Sequence, residues 1–430
     1  MKKELSLLLL SLAIGASCVT VKAQDVKTAN ITSQSADAKA KAVNVTLTGT
    51  LTSTSNGDFR QLRDLCWQMR TLTLTTANCT AIPDNALHSR HRLHEVHLPN
   101  KLLTIGSQAF FACDSLEGTL TIPTKVTSIG ASAFSGCSSV SGLSLPKSLV
   151  NIGSYAFAGC TSLEGEVVLS DNILTLRDGV FTRCAKLQHV TLPASLQSIG
   201  ANTFSGCTSL KGDIVMGRML TRIGASAFAG CTSLATLQLP RALQQVGQCA
   251  FADCSALTGR ISLPASVQEL GSGAFQGCSG ISEVVLPENL TEIPAATFAG
   301  CTALETVNVY AAQPPVADAT AFAGVKTADV TLCVPEESME AYAEAPVWKD
   351  FKISKLTSAA DVAATAAVEL AVEGSTLWVK HLPQASAVRV VNASGQAIAT
   401  ARAEGDLSVQ LPQRGVYVVT VNGKNFKIKH

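Results

Sequence analysis

The chain has 430 residues, with 33 Lys and Arg against 32 Asp and Glu, a net charge of +1 and only 15% charged residues. That balance leaves no basic footprint for nucleic acid, and no segment reaches the roughly 20 apolar residues of a membrane-spanning helix. The length suits one long domain with a smaller one attached.

The first residues run from Lys2 and Lys3 through an apolar stretch, Leu5 to Ile14, to Val21-Lys22-Ala23 before Gln24. Basic, then apolar, then small is the order of a cleaved secretory leader, expected over residues 1–23. Lipoprotein processing at Cys18 is the competing reading, but Gly15-Ala16-Ser17 lacks the apolar residue wanted three before the cysteine. Residues 24–62 are expected to form an N-terminal segment and cap, with residues 43–62 (VNVTLTGTLTSTSNGDFRQL) closing the near end of the core.

From residue 63 the chain repeats itself. Phe110, Phe134, Phe157, Phe181, Phe204, Phe228, Phe251, Phe275, Phe298 and Phe322 recur at spacings that alternate between 24 and 23. Five residues before each stands a branched aliphatic such as Ile105, Ile129 or Ile152, usually followed by Gly, which is expected to permit a tight turn. Cys comes three residues after the Phe, and Leu, Val or Ile six after. An alternating pair then follows, such as Leu143 and Leu145 or Leu237 and Leu239, which reads as a short strand with one buried face. Pro123, Pro146, Pro193, Pro240, Pro264 and Pro287 end these strands. One unit per turn, stacked on its neighbours, buries a continuous core. The expected fold class is an α/β-type solenoid of short parallel strands with 3-10 or short helical corners, over residues 63–354 including its C-terminal cap.

The longer turns carry an inserted glycine, at Gly118, Gly165, Gly212 and Gly259, each 47 residues from the last. A bulge or wider corner absorbs such a residue, so alternation is expected in corner shape and not in the core. Cys66, Met69, Leu72 and Leu74 start the register one turn before Arg90, Leu93, Val96 and Leu98, with Arg63 in the Phe column. Such divergence suits a turn next to a cap. His88, His91, His94 and His97 recur every third residue, a spacing that resembles a metal site. Leu93, Val96 and Leu98 take the core positions there, so His97 projects from the strand while His88 and His91 sit in the corner. The rings do not converge, and an exposed polar cluster without metal or cofactor is expected.

Residues 330–354 fit the second cap, and 355–367 (KLTSAADVAATAA) read as a linker. Beyond it, short alternating runs such as Val388 to Val391 and Val416 to Val421 lie between turn signals at Ser394-Gly395 and Asn422-Gly423. A small β-sandwich is expected over residues 368–430.

The repeat L-P-x-x-L-x-x-I-G-x-x-A-F-x-x-C-x-x-L resembles the BspA-type leucine-rich repeats of surface proteins, and Val334-Pro335 with Tyr342, Trp348 and Phe351 is similar to that family's closing segment. The last segment, with Gly415-Val416-Tyr417 before a basic strand carrying Lys427 and Lys429, resembles the C-terminal sorting domain of the type IX secretion route of Bacteroidetes. The resemblance implies a protein that is secreted or held on the outer-membrane surface of a Gram-negative bacterium and that adheres to host proteins or other cells. Arg63 and Leu87 in place of Phe, Arg90 in place of Cys, and Val325 at the end of the cysteine column depart from the pattern at its two ends.

Nine of the fourteen cysteines (Cys113, Cys137, Cys160, Cys184, Cys207, Cys231, Cys254, Cys278, Cys301) share one column. Side chains in one column point the same way, whereas a disulfide needs vectors that converge, so packed thiols are expected. Cys66 and Cys79 are the candidates for an isolated bridge. For catalysis the chain offers no G-x-S-x-G, no H-E-x-x-H and no phosphate loop, so no enzyme is expected.

The residues flanking each buried strand aliphatic point outward and vary from turn to turn while the core columns stay fixed. Variation on a fixed scaffold is where a repeat protein places recognition. The expected binding face comprises Glu166, His189, Asp213, Thr236, Gln238, Arg260, Glu283 and Asn308. None of these outward residues is Phe, Tyr or Trp, which argues against a sugar cleft and for a protein or cell-surface ligand bound by a monomer. The alternatives are a structural or nutrient-capture surface protein without a specific protein ligand, or a sheet face that is merely solvated.

Overall fold

The computed structural model describes residues 24–51, 57–212, 214–356, 369–373, 375–392, 396–412, 415–421 and 424–429. The leader expected over 1–23 and all but the first two residues of the expected linker lie outside them.

Each turn of the solenoid bonds to the next along three strips. The first is the strand face. Gln24–Thr28, Ala42–Leu47, Thr71–Thr73 and Glu95–His97 form one parallel sheet. Gly118–Thr121 pairs with Val140–Ser144, and Gly165–Val168 pairs with Leu187–Thr191. Thr258–Ser262 opens a five-stranded sheet that continues through Gly280–Leu286, Thr306–Val309 and Thr331–Val334 to Lys352–Lys355. The second strip consists of two-residue parallel strands ending on the branched aliphatic, such as Thr104–Ile105, Ser128–Ile129 and Asn151–Ile152. Two residues are too few for a period to show in a sequence.

The third strip is the corner around each Phe. The N–H of Phe110 donates to Ala133 O of the next turn at 2.7 Å, and Phe134 to Ala156 at 2.8 Å. Within one corner, Phe111 donates to Gln108, Cys113 to Phe110 and Leu116 to Cys113, each an i to i−3 bond of 3-10 type. The corner does not grow into a helix because residues two before and two after the Phe are left-handed, as at Gln108 and Ala112 (φ 54° each) or Ser132 and Gly136 (φ 53° and 78°). Among the described residues of the solenoid, helices are confined to its two ends, at Ala36–Lys41, Asp58–Leu65 and Met339–Glu344, with short 3-10 pieces near the last.

The ten Phe rings stand in one file. Adjacent centroids are 5.0–5.7 Å apart and the planes lie within 2–19° of parallel. Offset stacks of this kind contribute about 0.5–1.5 kcal/mol each beyond the burial of their area. Phe110 to Phe298 are all buried, in a core that runs unbroken from Val26 to Phe351. At the far end Trp348 and Phe351 meet Phe322 edge-on, at 64° and 79°, so the file cannot continue. The Trp348 indole and Tyr342 hydroxyl donate to Pro315 O and Ala311 O, at 2.7 and 2.8 Å, which satisfies the polar atoms of the cap. At the opposite end, Arg63 donates to Asn85 O at 3.0 Å.

The glycine after the branched aliphatic has a different cause from the expected one. Gly106, Gly130, Gly200 and Gly224 do not have positive φ. A Cβ on Gly224 would instead lie 2.6 Å from Ala201 N and from Gly200 C, so glycine is there because the preceding turn's backbone passes that close. The inserted glycines, by contrast, are left-handed: Gly118 has φ +74°, and a Cβ there would meet nothing within 4 Å. Gly224→Ala should therefore cost about 1–3 kcal/mol by forcing two turns apart, and Gly118→Ala roughly 1–2 kcal/mol from backbone strain alone. Urea midpoints of the two variants check the order.

The C-terminal unit is antiparallel. Thr376–Asn392 and Ala397–Gln410 form a long hairpin, with Glu369–Glu373 added to its first half and Val416–Val421 and Lys424–Lys429 to its second. Register slips between Val379, Leu382 and Ser386 interrupt the hairpin. Leu377, Val379, Val388, Val390, Tyr417 and Val419 from both halves share one buried core.

Candidate functional site

The strand face is not continuous. New sheets begin at the turns that carry an inserted glycine, with register slips between Gly118 and Thr119, Gly165 and Glu166, and Gly259 and Arg260. Left-handed glycine turns the chain out of the pleat, so the turns with Gly118, Gly165 and Gly259 each pair with the turn after and not with the one before. The alternation expected only in corner shape thus reaches the hydrogen-bond ladder. On the strand face of the turn with Gly212 and of the next one no strand forms among the described residues, and Leu237 and Leu239 are half-buried without a ladder.

These breaks divide the expected binding residues. Glu166 and His189 are paired neighbours, both exposed, and Glu166 accepts a hydrogen bond from the Thr191 hydroxyl at 2.6 Å. Thr236 and Gln238 are on the segment without a strand, both exposed, and Val215 of the preceding turn is 76% exposed. Arg260 and Glu283 are paired neighbours joined at 3.6 Å. Asn308 departs from expectation: it is buried, and its amide donates to Glu283 at 2.8 Å. Val285 and Cys333 flank it in the ladder, and Val285 is buried too, so this end of the face is a packed polar ladder and not an open surface. Asp213 lies outside the described residues.

A cleft that inspection of columns does not reveal opens at the first break. Glu95–His97 and Gly118–Thr121 do not pair, and between them is a groove of about 630 Å³ lined by Glu95, His97, Glu117, Thr119 and Thr121 over Leu98, Leu120 and Ile122. The 47-residue spacing of the glycines was the available signal, but it does not say which side of the turn loses its partner.

The histidines take separate partners. His88 stacks on Phe111 at 5.1 Å, His91 meets Asp114 at 3.0 Å, His94 meets Arg92 O at 2.7 Å, and His97 meets Glu95 at 3.1 Å from the exposed strand. Cys66 and Cys79, the candidate bridge, are both free thiols, and Cys79 donates to Ala81 O at 3.1 Å. The column thiols have a role that their spacing does not announce. Cys137 donates to the carbonyl of Phe110, Cys160 to that of Phe134 and Cys184 to that of Phe157, at 3.2–3.4 Å, and the pattern continues to Cys301. Each thiol thus reaches back to a buried carbonyl of an earlier corner. Burial pushes Cys113, Cys160, Cys207 and Cys301 up to about 12, and raises Cys137, Cys184 and Cys231 well above the ordinary thiol range. Thiols held in that form are poor nucleophiles.

A family model described as BspA type leucine rich repeat region, in 6 copies, matches residues 25–141, 80–211, 128–258 and 211–328. Among solved structures, a leucine-rich repeat protein from Bacteroides ovatus ATCC 8483 is similar at 20% identity with a TM-score of 0.52, over 73% of this chain and 92% of that one. A leucine rich cell surface protein from Faecalibacterium prausnitzii A2-165 shares 23% identity with a TM-score of 0.43, over 68% of this chain and 89% of that one. A leucine rich repeat protein of T. pallidum shares 35% identity with a TM-score of 0.33, over 34% of this chain and 72% of that one. No curated protein matches the sequence.

Proposed function

The chain belongs to the BspA-type leucine-rich repeat family, and from that premise we propose a secreted or cell-surface protein that binds a macromolecular ligand through its outward strand face, in adhesion to a host protein or to other cells. The observation that carries the reading is the contrast between columns. The Phe, Cys and aliphatic columns are buried and nearly invariant, while the outward positions beside them change from Glu166 and His189 to Thr236 and Gln238. A merely solvated face would need neither this variety nor exposed Val168 and Val215, at 55% and 76%. On this reading the leader at residues 1–23 and the sorting unit at 368–430 take the protein to the outer-membrane surface.

The test is a pull-down of host and bacterial surface proteins with the mature chain, repeated with Glu166→Ala, His189→Ala, Val215→Ser and Gln238→Ala combined. The expected result is a captured protein that the variant loses without a change in melting temperature, since surface substitutions of this kind usually shift stability by no more than about 0.5 kcal/mol each. Equal capture by both proteins would remove the strand face from consideration. Deleting residues 366–430 should also abolish surface labelling of intact cells, and continued labelling would show that those residues do not sort.

A further inference from the structure

The cleft at the first break is walled by two strand edges that do not pair with each other. The N–H of Glu95 donates to Arg70 O at 3.0 Å, and His97 O accepts from Leu74 N at 2.8 Å, so both residues turn their backbone groups toward the preceding turn. Strand alternation then turns those of Val96 and Leu98 into the cleft. On the opposite wall the N–H of Ile122 donates to Ser144 O at 3.0 Å, toward the following turn. Alternation places the backbone groups of Thr119 and Thr121 in the cleft. The opening is bounded at one end by the bond from Glu117 N to His94 O, 3.0 Å, and at the other by that from Thr127 N to Leu103 O, 2.9 Å.

Open strand edges are a template for an added strand. A segment matching the four residues of Gly118–Thr121 would span roughly 13 Å. The charge of the lining selects among such segments: it holds Glu95 and Glu117, both exposed, and no Lys or Arg. Beneath them the floor is apolar, made by Leu98, Leu120 and Ile122. Gly142 leaves room for Thr119, whose hydroxyl oxygen would lie 2.6 Å from any Cβ there, so the wall of the cleft is held in place from the turn behind it.

We propose that this cleft takes an extended segment of a partner protein as an added strand, one whose residues alternate between apolar and basic. The apolar residues face the floor and the basic ones face Glu95 and Glu117. The proposal rests on the reading of the strand face as a protein-binding surface and names one place on it and the chemistry of what it holds.

The experiment measures fluorescence anisotropy of a labelled octapeptide alternating lysine and valine against the mature chain, with an alternating glutamate and valine octapeptide as comparison. The lysine peptide should bind and the glutamate peptide should not. Glu95→Lys with Glu117→Lys should weaken binding about tenfold or more. Thr119→Pro should weaken it as well, because it removes a donor that faces the cleft and not the ladder to Val140–Ser144. Binding unchanged in both variants, or equal binding of the two peptides, would overturn the proposal. The strand-face variant keeps the two readings apart. If it loses ligand capture while the cleft variants leave peptide binding unchanged, the cleft proposal falls and the face stands. If it keeps capture while peptide binding follows the cleft variants, the face reading falls and the cleft stands.

Discussion

Raising the pH from 9 to 11 should unfold the solenoid cooperatively. The folded chain holds the Cys113, Cys160, Cys207 and Cys301 protons up to about 12, against 9.0 for an ordinary thiol. Between those values the unfolded chain has released protons that the folded chain still keeps, so stability is fully present below about pH 8.5 to 9 and falls as the pH rises toward 12. Each such thiol removes about 1.4 kcal/mol per pH unit in that window. Four together remove roughly 5 kcal/mol per unit, which is comparable to the whole stability of a typical domain. Urea midpoints at pH 8, 9, 10 and 11 measure it, with thiol counting on the denatured, non-reduced protein to verify that the described cysteines are free. A midpoint flat to pH 11 would show that the thiols are not held as the structure places them. Replacing Cys160 and Cys207 with Ala should make the decline shallower, even though each replacement also deletes a hydrogen bond to a Phe carbonyl, of Phe134 and Phe181 respectively.

Phe204→Ala or Phe228→Ala should cost about 3–5 kcal/mol. Phe204 stacks between Phe181 at 5.7 Å and Phe228 at 5.2 Å, so its removal opens a cavity walled by two rings and leaves each without a partner on that face. The walls cannot collapse, because the turns on either side are tied by backbone bonds from Phe204 N to Ala227 O, 2.7 Å, and from Phe181 N to Thr203 O, 2.9 Å. Phe204→Leu, which keeps most of the volume, should lose less. A solenoid is stabilised by its nearest-neighbour interfaces, so a weakened central turn should also broaden or split the denaturation curve. Near-wild-type midpoints for the alanine variants would contradict the stacking register.

The difference between what was legible and what was not follows the range of the interactions. Phe110 to Phe322 announce themselves because a core shared by stacked turns demands one large apolar residue at the same place in every turn, and a period of 23 or 24 survives any local detail. The same holds for the aliphatic columns, whereas the aromatic cap at Tyr342, Trp348 and Phe351 was legible only through the resemblance to the family's closing segment. The glycine column was visible, but its cause was not: Gly224 is required by Ala201 and Gly200, 23 and 24 residues earlier, and no local preference for φ reports that approach. Asn308 sits in an outward position of the period, yet Glu283 and the neighbouring strands bury it.

The amino-acid order determines by itself the repeat, its core columns, its thiol file and its two ends, since each depends on which residue types recur at a fixed distance. Only the tertiary structure decides where the strand ladder breaks and which edges face a cleft. The inserted Gly118 lengthens its turn by one residue, and whether that residue costs the ladder its bonds to the turn before or to the turn after depends on the left-handed φ that the glycine adopts between two packed neighbours.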